Sequence, residues 1–313
     1  MSTGVSDNDN TVSKLSSMLI DNTLPMKLRF RILFTLKTLN GKHAIDAINL
    51  AFNDTSALLK HECAYCLGQM ANQYAIPYLL RVLNDEKEDS MVRHEAGEAL
   101  GAIGCYDNKD VLNALEANSQ SNYPEIAETC QIALDRLKWL HENNICDSNN
   151  KKPYSTIDPA PAFDITDISD LRTILLDEKK SLFERYRALF ALRDLGSDND
   201  NAVLAICDGF QCSSALFRHE IAFVLGQLQS VCSINALKSQ LNKLDEHYMV
   251  RHECAETLGS IGTNECQKLL ELYLNDRDRV VRESCEVALD ISDYVNSKDF
   301  QYCNGLKLVE MEC

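Results

Sequence analysis

Glycine and proline are scarce in this chain of 313 residues, at 12 and 6. Both interrupt regular elements, so their scarcity argues against a turn-rich β fold and for helices. No apolar run approaches the roughly 20 residues that span a bilayer. The opening MSTGVSDNDNTVSK is polar and holds no secretory apolar region. The 13 cysteines are odd in number and scattered, which reads as reduced thiols of a cytoplasmic protein rather than a disulfide framework. A basic cluster is also missing, and the formal charge is −16, which sets nucleic-acid binding aside. The acidic balance suits simple solubility or the attraction of a cationic substrate. Hydrophobic residues make up 45% of the chain, enough for a sizeable core, and the length allows two domains or one long solenoid.

What the chain does have is a repeated dipeptide. His-Glu occurs at His61-Glu62, His94-Glu95, His219-Glu220 and His252-Glu253, which uses four of the seven histidines. The two pairs of each half are 33 residues apart, and the halves are offset by 158. A period near 33 marks a solenoid of stacked helix pairs. LLKHECAYCLGQM at 58–70 matches LFRHEIAFVLGQL at 216–228, and MVRHEAGEALGAIG at 91–104 matches MVRHECAETLGSIG at 249–262. Further out, LRFRILFTLKTL at 28–39 matches FERYRALFALRDL at 183–195, and IAETCQIALDRL at 126–137 matches VRESCEVALDIS at 281–292. These outer units put Phe30-Arg31, Tyr186-Arg187, Ala127-Glu128 and Arg282-Glu283 where His-Glu would stand.

The chain therefore reads as an all-α, HEAT-like helical-repeat solenoid. Its two four-repeat halves, 14–140 and 167–296, are expected to face each other. Residues 141–166 hold three of the six prolines and no helical period, and read as a linker. Residues 1–13 read as a disordered tail and 297–313 as a second tail.

Within one unit, Leu59, Cys63, Cys66, Leu67 and Met70 follow the apolar stripe of an amphipathic helix. Cys63 and Cys66 form a Cys-x-x-Cys, but the 158 offset lands on Ile221 and Val224. These thiols read as small core hydrophobes, and so do Cys130 and Cys285. Gly104 and Gly262 stand where helices end. Gly68, Gly101, Gly226 and Gly259 each fall seven residues after a grid His, about two helical turns on. A glycine inside a helix costs about 1 kcal/mol relative to alanine. Four matched costs imply a close approach, by another helix or by a ligand.

Imidazole and carboxylate suit a redox iron or a zinc. The outer units show that the solenoid itself does not require His, so the grid reads as a site. Each half offers two imidazoles and two carboxylates, enough for the 2-His-1-carboxylate arrangement of non-haem ferrous centres. A zincin helix is excluded, because Tyr65, Glu98, Phe223 and Glu256 occupy the second His position of H-E-x-x-H. Glu98 and Glu256 read either as acceptors for a ring N–H or as exposed acids. Lys60, Arg93, Arg218 and Arg251 precede the four His and read either as cations that keep the neighbouring carboxylates ionised or as ordinary surface pairs. Spacing alone leaves open which glutamates are ligands. A non-catalytic HEAT-repeat scaffold for a protein partner is the alternative reading.

The contexts LLKHE, MVRHE, LFRHE and MVRHE, set in two four-unit halves joined by YSTIDPAP at 154–161, resemble the deoxyhypusine hydroxylase family over most of the chain. The resemblance implies a non-haem di-iron monooxygenase with two Fe(2+) per chain. Its substrate would be the deoxyhypusine side chain of the eukaryotic hypusine-containing translation factor, and its co-substrate O2. It further implies His61, His94 and Glu95 as ligands of one iron and His219, His252 and Glu253 as ligands of the other. Glu62 and Glu220 would bind the protonated amines of the substrate. The sequence shows no flavin or dinucleotide fingerprint, so the electron donor is external and unnamed.

Overall fold

The computed structural model describes residues 7–104, 106–143, 154–299 and 301–304. Its regular structure is sixteen α-helices and four short 3-10 segments, with no strand among the described residues. The α-helices form eight consecutive pairs. The first half holds α1 (Asp7–Ile20) and α2 (Met26–Leu39), α3 (Gly41–Leu50) and α4 (Ala57–Gln69), α5 (Ile76–Asn84) and α6 (Ser90–Ile103), then α7 (Lys109–Asn118) and α8 (Pro124–Glu142). The second holds α9 (Ile168–Leu176) and α10 (Leu182–Gly196), α11 (Asp200–Asp208) and α12 (Ala215–Leu228), α13 (Ile234–Asn242) and α14 (Tyr248–Ile261), then α15 (Asn264–Tyr273) and α16 (Arg279–Val295). The solenoid of two four-unit halves is the fold observed, and no described helix is long and apolar enough to cross a membrane.

The second helices of the pairs stack side by side, α4 on α6 on α8 and α12 on α14 on α16. Glycine sets how close they come. A Cβ on Gly68 would lie 2.8 Å from Ala99 Cα, on Gly101 2.8 Å from Ala133 Cβ, on Gly226 2.8 Å from Thr257 Oγ1, and on Gly259 2.4 Å from the Ala288 carbonyl oxygen. Helix packing therefore accounts for the four glycines. Local signals delimit the same helices. Ser56 and Ser214 cap α4 and α12 by accepting the N–H of Leu59 and Phe217. Gly104 and Gly262 end α6 and α14 in the left-handed region, at φ +76° and +68°. The predicted stripe is buried, Cys63 and Cys66 included.

The cations before the grid His face away from it. Arg93 Nε donates to the Leu83 carbonyl and Arg251 Nε to the Leu241 carbonyl, at 2.9 and 3.0 Å. Arg29 and Arg185, at the same position of the first units, donate to Leu19 and Leu175. Each arginine thus ties its helix to the last turn of the preceding one, where carbonyls lack intrahelical partners. Lys60 and Arg218 pair with Glu88 and Glu246. The reading of these cations as partners of the grid carboxylates is corrected. Adjacent helical residues point about 100° apart, which turns the cation toward the outer helix when His faces inward.

The halves meet along two seams, α8 on α10 and α12, and α16 on α2 and α4. Ser214 Oγ donates to Glu128 at one seam and Ser56 Oγ to Glu283 at the other, both at 2.6 Å. Arg31 adds a two-pronged contact to Asp290, at 2.7 and 3.0 Å. Outer-unit residues at the His-Glu register therefore close one half on the other.

Boundary expectations need correction. Residues 7–13 belong to α1 rather than to a tail, since Leu15 and Leu19 bury its face. The second part of the 141–166 linker is non-helical but anchored. Arg193 grips both carboxylate oxygens of buried Asp158, at 2.8 and 2.9 Å, and Arg136 donates to the Asp158 carbonyl at 3.0 Å. Gln69 exchanges two hydrogen bonds with the Ile157 backbone, and Gln227 donates to Thr156 Oγ1. In the 297–313 segment, Tyr302 packs on Phe34 and Tyr294 with the Arg31 guanidinium over its ring. Such partners leave no helical period to read. Residues 1–6, 144–153 and 305–313 of these expectations lie outside the described residues.

Two substitutions test this packing. Asp158→Ala removes the two-pronged partner of buried Arg193, which keeps Asp194 and Gln227, and is expected to cost about 1.5–3 kcal/mol in urea unfolding. Glu142→Gln, which breaks an exposed pair with Lys138, is expected to cost less than about 1 kcal/mol. Gly259→Ala forces α14 and α16 apart and is expected to cost about 1–3 kcal/mol; a neutral result would refute the close-approach account.

Candidate metal centre

Stacked repeats bring the four grid histidines together. α4 carries His61, α6 His94, α12 His219 and α14 His252. The ring centroids lie 5.4 Å apart for His61 and His94, 5.3 Å for His219 and His252, and 5.8 Å for His61 and His219 across the halves. His94 and His252 are fully buried, and His61 and His219 nearly so. Nε2 of all four rings has no hydrogen-bond partner, and neither does Nδ1 of His61 or His219. Buried polar atoms are normally satisfied, so this many orphans at one place mark a missing ligand.

The glutamates divide by geometry. Glu95 Oε2 lies 3.3 Å from His61 Nε2 and 3.9 Å from His94 Nε2. Glu253 Oε2 lies 3.4 Å from His219 Nε2 and 3.8 Å from His252 Nε2. Each third-unit glutamate thus leans back onto the preceding unit's imidazole as well as its own. Glu62 approaches the other nitrogen of His61, at 4.0 Å from Nδ1. Glu62 and Glu220 line a cavity of about 250 Å³ beside the rings, with Phe34, Tyr65, Phe223 and Thr156 among its walls. Glu220 Oε1 is buried without a partner. Donor atoms of His61, His94 and His219, and of His219, His252 and Glu253, fall within 4.8 Å of one another. The two halves therefore contribute to one continuous cluster.

The outer contacts of the rings are unequal. His94 Nδ1 meets Thr129 Oγ1 at 3.4 Å. His252 Nδ1 meets Glu256 at 3.4 Å, and Ser284 Oγ donates to that same carboxylate at 3.0 Å. The acceptor role considered for Glu98 and Glu256 thus falls to Glu256 alone. Thr129, Ser284, Gln69, Gln227 and Asp158 were missed from the sequence. The 158 offset that joins Gln69 to Gln227 was the available signal.

Burial dominates the electrostatics. It pushes the carboxyls of Glu62, Glu95 and Glu253 up to about 8, with neighbouring glutamates adding to the shift. Glu256 rises to about 7, and Glu98 and Glu220 rise well above the usual carboxylate range. Burial and the neighbouring rings hold His94 and His252 well below the ordinary imidazole value and His219 at about 3. Neutral imidazoles with free lone pairs, beside carboxyls short of positive charge, form a donor set that fits a divalent cation.

Comparison with known proteins agrees with this architecture and names the family. The HEAT-repeat family model matches residues 45–135 and 203–290. A deoxyhypusine hydroxylase of Danio rerio is 53% identical over 301 residues, covering 96% of this chain and 97% of its own length. The chain belongs to the deoxyhypusine hydroxylase family. The Homo sapiens deoxyhypusine hydroxylase is 49% identical, covering 95% of this chain and 96% of its own length. The solved structure of human deoxyhypusine hydroxylase in complex with glycerol superposes with a TM-score of 0.87 at 49% identity, covering 91% of this chain and 97% of that one. The match spans both halves of a deoxyhypusine hydroxylase, so all four His-Glu pairs fall within it.

The raised carboxyls generate a pH test. Metal-free, the folded chain holds protons that the unfolded chain releases above the ordinary carboxyl value of 4.5. That stability is full below 4.5 and is lost as pH rises through about 8. The depressed imidazoles act oppositely, and only below their ordinary value of 6.5. Between about pH 6.5 and 8 the carboxyls act alone, so the Tm of metal-free protein is expected to fall. Ferrous ion added without oxygen should raise Tm and flatten that slope. A metal-free Tm that rises across the window would contradict this account.

Proposed function

We infer that this chain is an iron-dependent monooxygenase that uses O2 to hydroxylate the deoxyhypusine side chain of the hypusine-containing translation factor. One observation carries the reading beyond family membership. Four orphaned Nε2 atoms converge on two carboxylates, at 3.3–3.9 Å. We assign His61, His94 and Glu95 to one Fe(2+) and His219, His252 and Glu253 to another, about two per chain, following the 2-His-1-carboxylate pattern. Bound iron supplies the activation of O2, and an external reductant supplies two electrons as one oxygen atom enters the substrate and the other leaves as water.

The chain's own residues position the substrate. Glu62 and Glu220 border the cavity and accept hydrogen bonds from the protonated amines of the side chain. The support is that both are buried carboxylates with no lysine or arginine partner among the described residues, and that Glu220 Oε1 makes no hydrogen bond. A cavity of about 250 Å³ suits an unbranched alkylamine. Phe34, Tyr65 and Phe223 form its apolar walls and keep bulk water from the C–H bond. A non-catalytic scaffold would leave these buried donors unexplained. The ten described cysteines are all free thiols, which fits a reducing compartment such as the cytoplasm.

Incubating the iron-loaded chain with the deoxyhypusine-bearing factor, O2 and a reductant should add the mass of one oxygen atom to the modified lysine. A well-folded chain that takes up no iron and adds no oxygen would refute the reading. Glu95→Ala and Glu253→Ala should each lose roughly half or more of the bound iron, since each removes one of three protein ligands. Glu62→Ala and Glu220→Ala should keep their iron and raise KM about tenfold or more, by loss of a charged contact. Equal iron loss in all four would show that the glutamate assignment is wrong.

A further inference from the structure

The site is built on a near two-fold repeat, and a symmetric site gives a linear substrate no direction. Glu62 and Glu220 are repeat equivalents, as are Gln69 and Gln227, and as are the ringed residues Tyr65 and Phe223, which touch at 5.9 Å. Glu98 and Glu256 are equivalents as well, but the structure uses them differently. Glu256 is engaged by His252 and Ser284. In the other half Thr129 takes the place beside His94 Nδ1. Glu98 is thereby left on the cavity wall, with donor atoms of His94 and Glu95 within 4.8 Å and no hydrogen bond or ion pair of its own among the described residues. Arg136 is directed to the carbonyls of Gly101 and Asp158. Behind Glu98, Arg136 and the linker residue Pro159 border a hollow of only about 10 Å³, too small to admit an alkyl chain. The repeat equivalent of Arg136 is the shorter Ile291, which borders the main cavity. Glu220, whose buried Oε1 has no partner, lines the same cavity, so the wall is short of positive charge and suits a cationic ligand.

We propose that Glu98 receives the terminal ammonium of the deoxyhypusine side chain at the closed end of the cavity, and that this single contact sets the direction in which the substrate lies across the iron site. The proposal rests on the reading of the site as a deoxyhypusine hydroxylase. Glu256, held by Ser284, is instead a positioning residue for His252.

The test uses iron-loaded, full-length protein, anaerobic calorimetry, and two peptides: one carrying deoxyhypusine and one in which a methyl group replaces the terminal amine. Glu98→Gln should weaken binding of the first peptide about tenfold or more, the scale of a lost charged contact. It should leave the second peptide, the iron content and the optical spectrum unchanged. Glu256→Gln should do the reverse, lowering iron retention or shifting the spectrum while changing peptide affinity less than about threefold, which is below half the free energy of a tenfold change. Equal weakening of both peptides by Glu98→Gln, or iron loss in that variant, would overturn the proposal. If the wild-type, iron-loaded protein neither binds nor hydroxylates the deoxyhypusine peptide or the intact factor, the functional reading fails instead, independently of Glu98.

Discussion

The fold is organised around buried carboxylates and imidazoles that no lysine or arginine among the described residues pairs with. Glu62, Glu95, Glu220 and Glu253 are all at least nine-tenths buried beside four buried histidines. Burying such groups unpaired opposes folding. The rest of the molecule supplies the rigidity that holds them together. Glycine lets the inner helices approach within van der Waals contact, and the arginine before each third-unit His locks its helix to the preceding one. A donor set so short of positive charge is one that a bound cation would stabilise, which links folding to binding.

The same sequence position does different work along the solenoid. At the His-Glu register the inner units bring imidazoles and carboxylates into one cluster, while the outer units supply Glu128, Glu283 and Arg31 to join the halves. The donors of α4 and α12 meet because the serines that cap those helices are also the groups the outer glutamates hold. Cap, seam and site are thus one mechanical unit. The linker contributes a third tie, through Gln69, Gln227 and the Arg193–Asp158 pair, and this tie is on one side only. It is the chief departure from two-fold symmetry, and it lies next to Glu98.

The repeat units, their inward helices and the His-Glu grid were legible because each leaves a period in the sequence. The role of Gly68, Gly101, Gly226 and Gly259 was legible as a close approach, and coordinates resolved the partner as a helix. The direction of Lys60, Arg93, Arg218 and Arg251 stayed open in the sequence between partners of the carboxylates and ordinary ion pairs, because adjacency in sequence does not fix side-chain direction. Asp158 was read as part of a linker and Tyr302 as part of a tail, since an irregular backbone held by side-chain hydrogen bonds and ring contacts carries no periodic trace.

By itself the sequence determined the all-α repeat fold, the number of units, and the register at which the four His-Glu pairs recur. Helical and repeat periods are local and additive, so they survive in one dimension. Only the tertiary structure decided that both halves contribute to a single cluster, that Glu95 and Glu253 rather than Glu62 and Glu220 approach Nε2, and that Glu98 and Glu256 part ways. Those distinctions depend on side-chain direction and on contacts across 158 residues of chain, where one serine, threonine or arginine changes the partner of a carboxylate without altering the pattern around it.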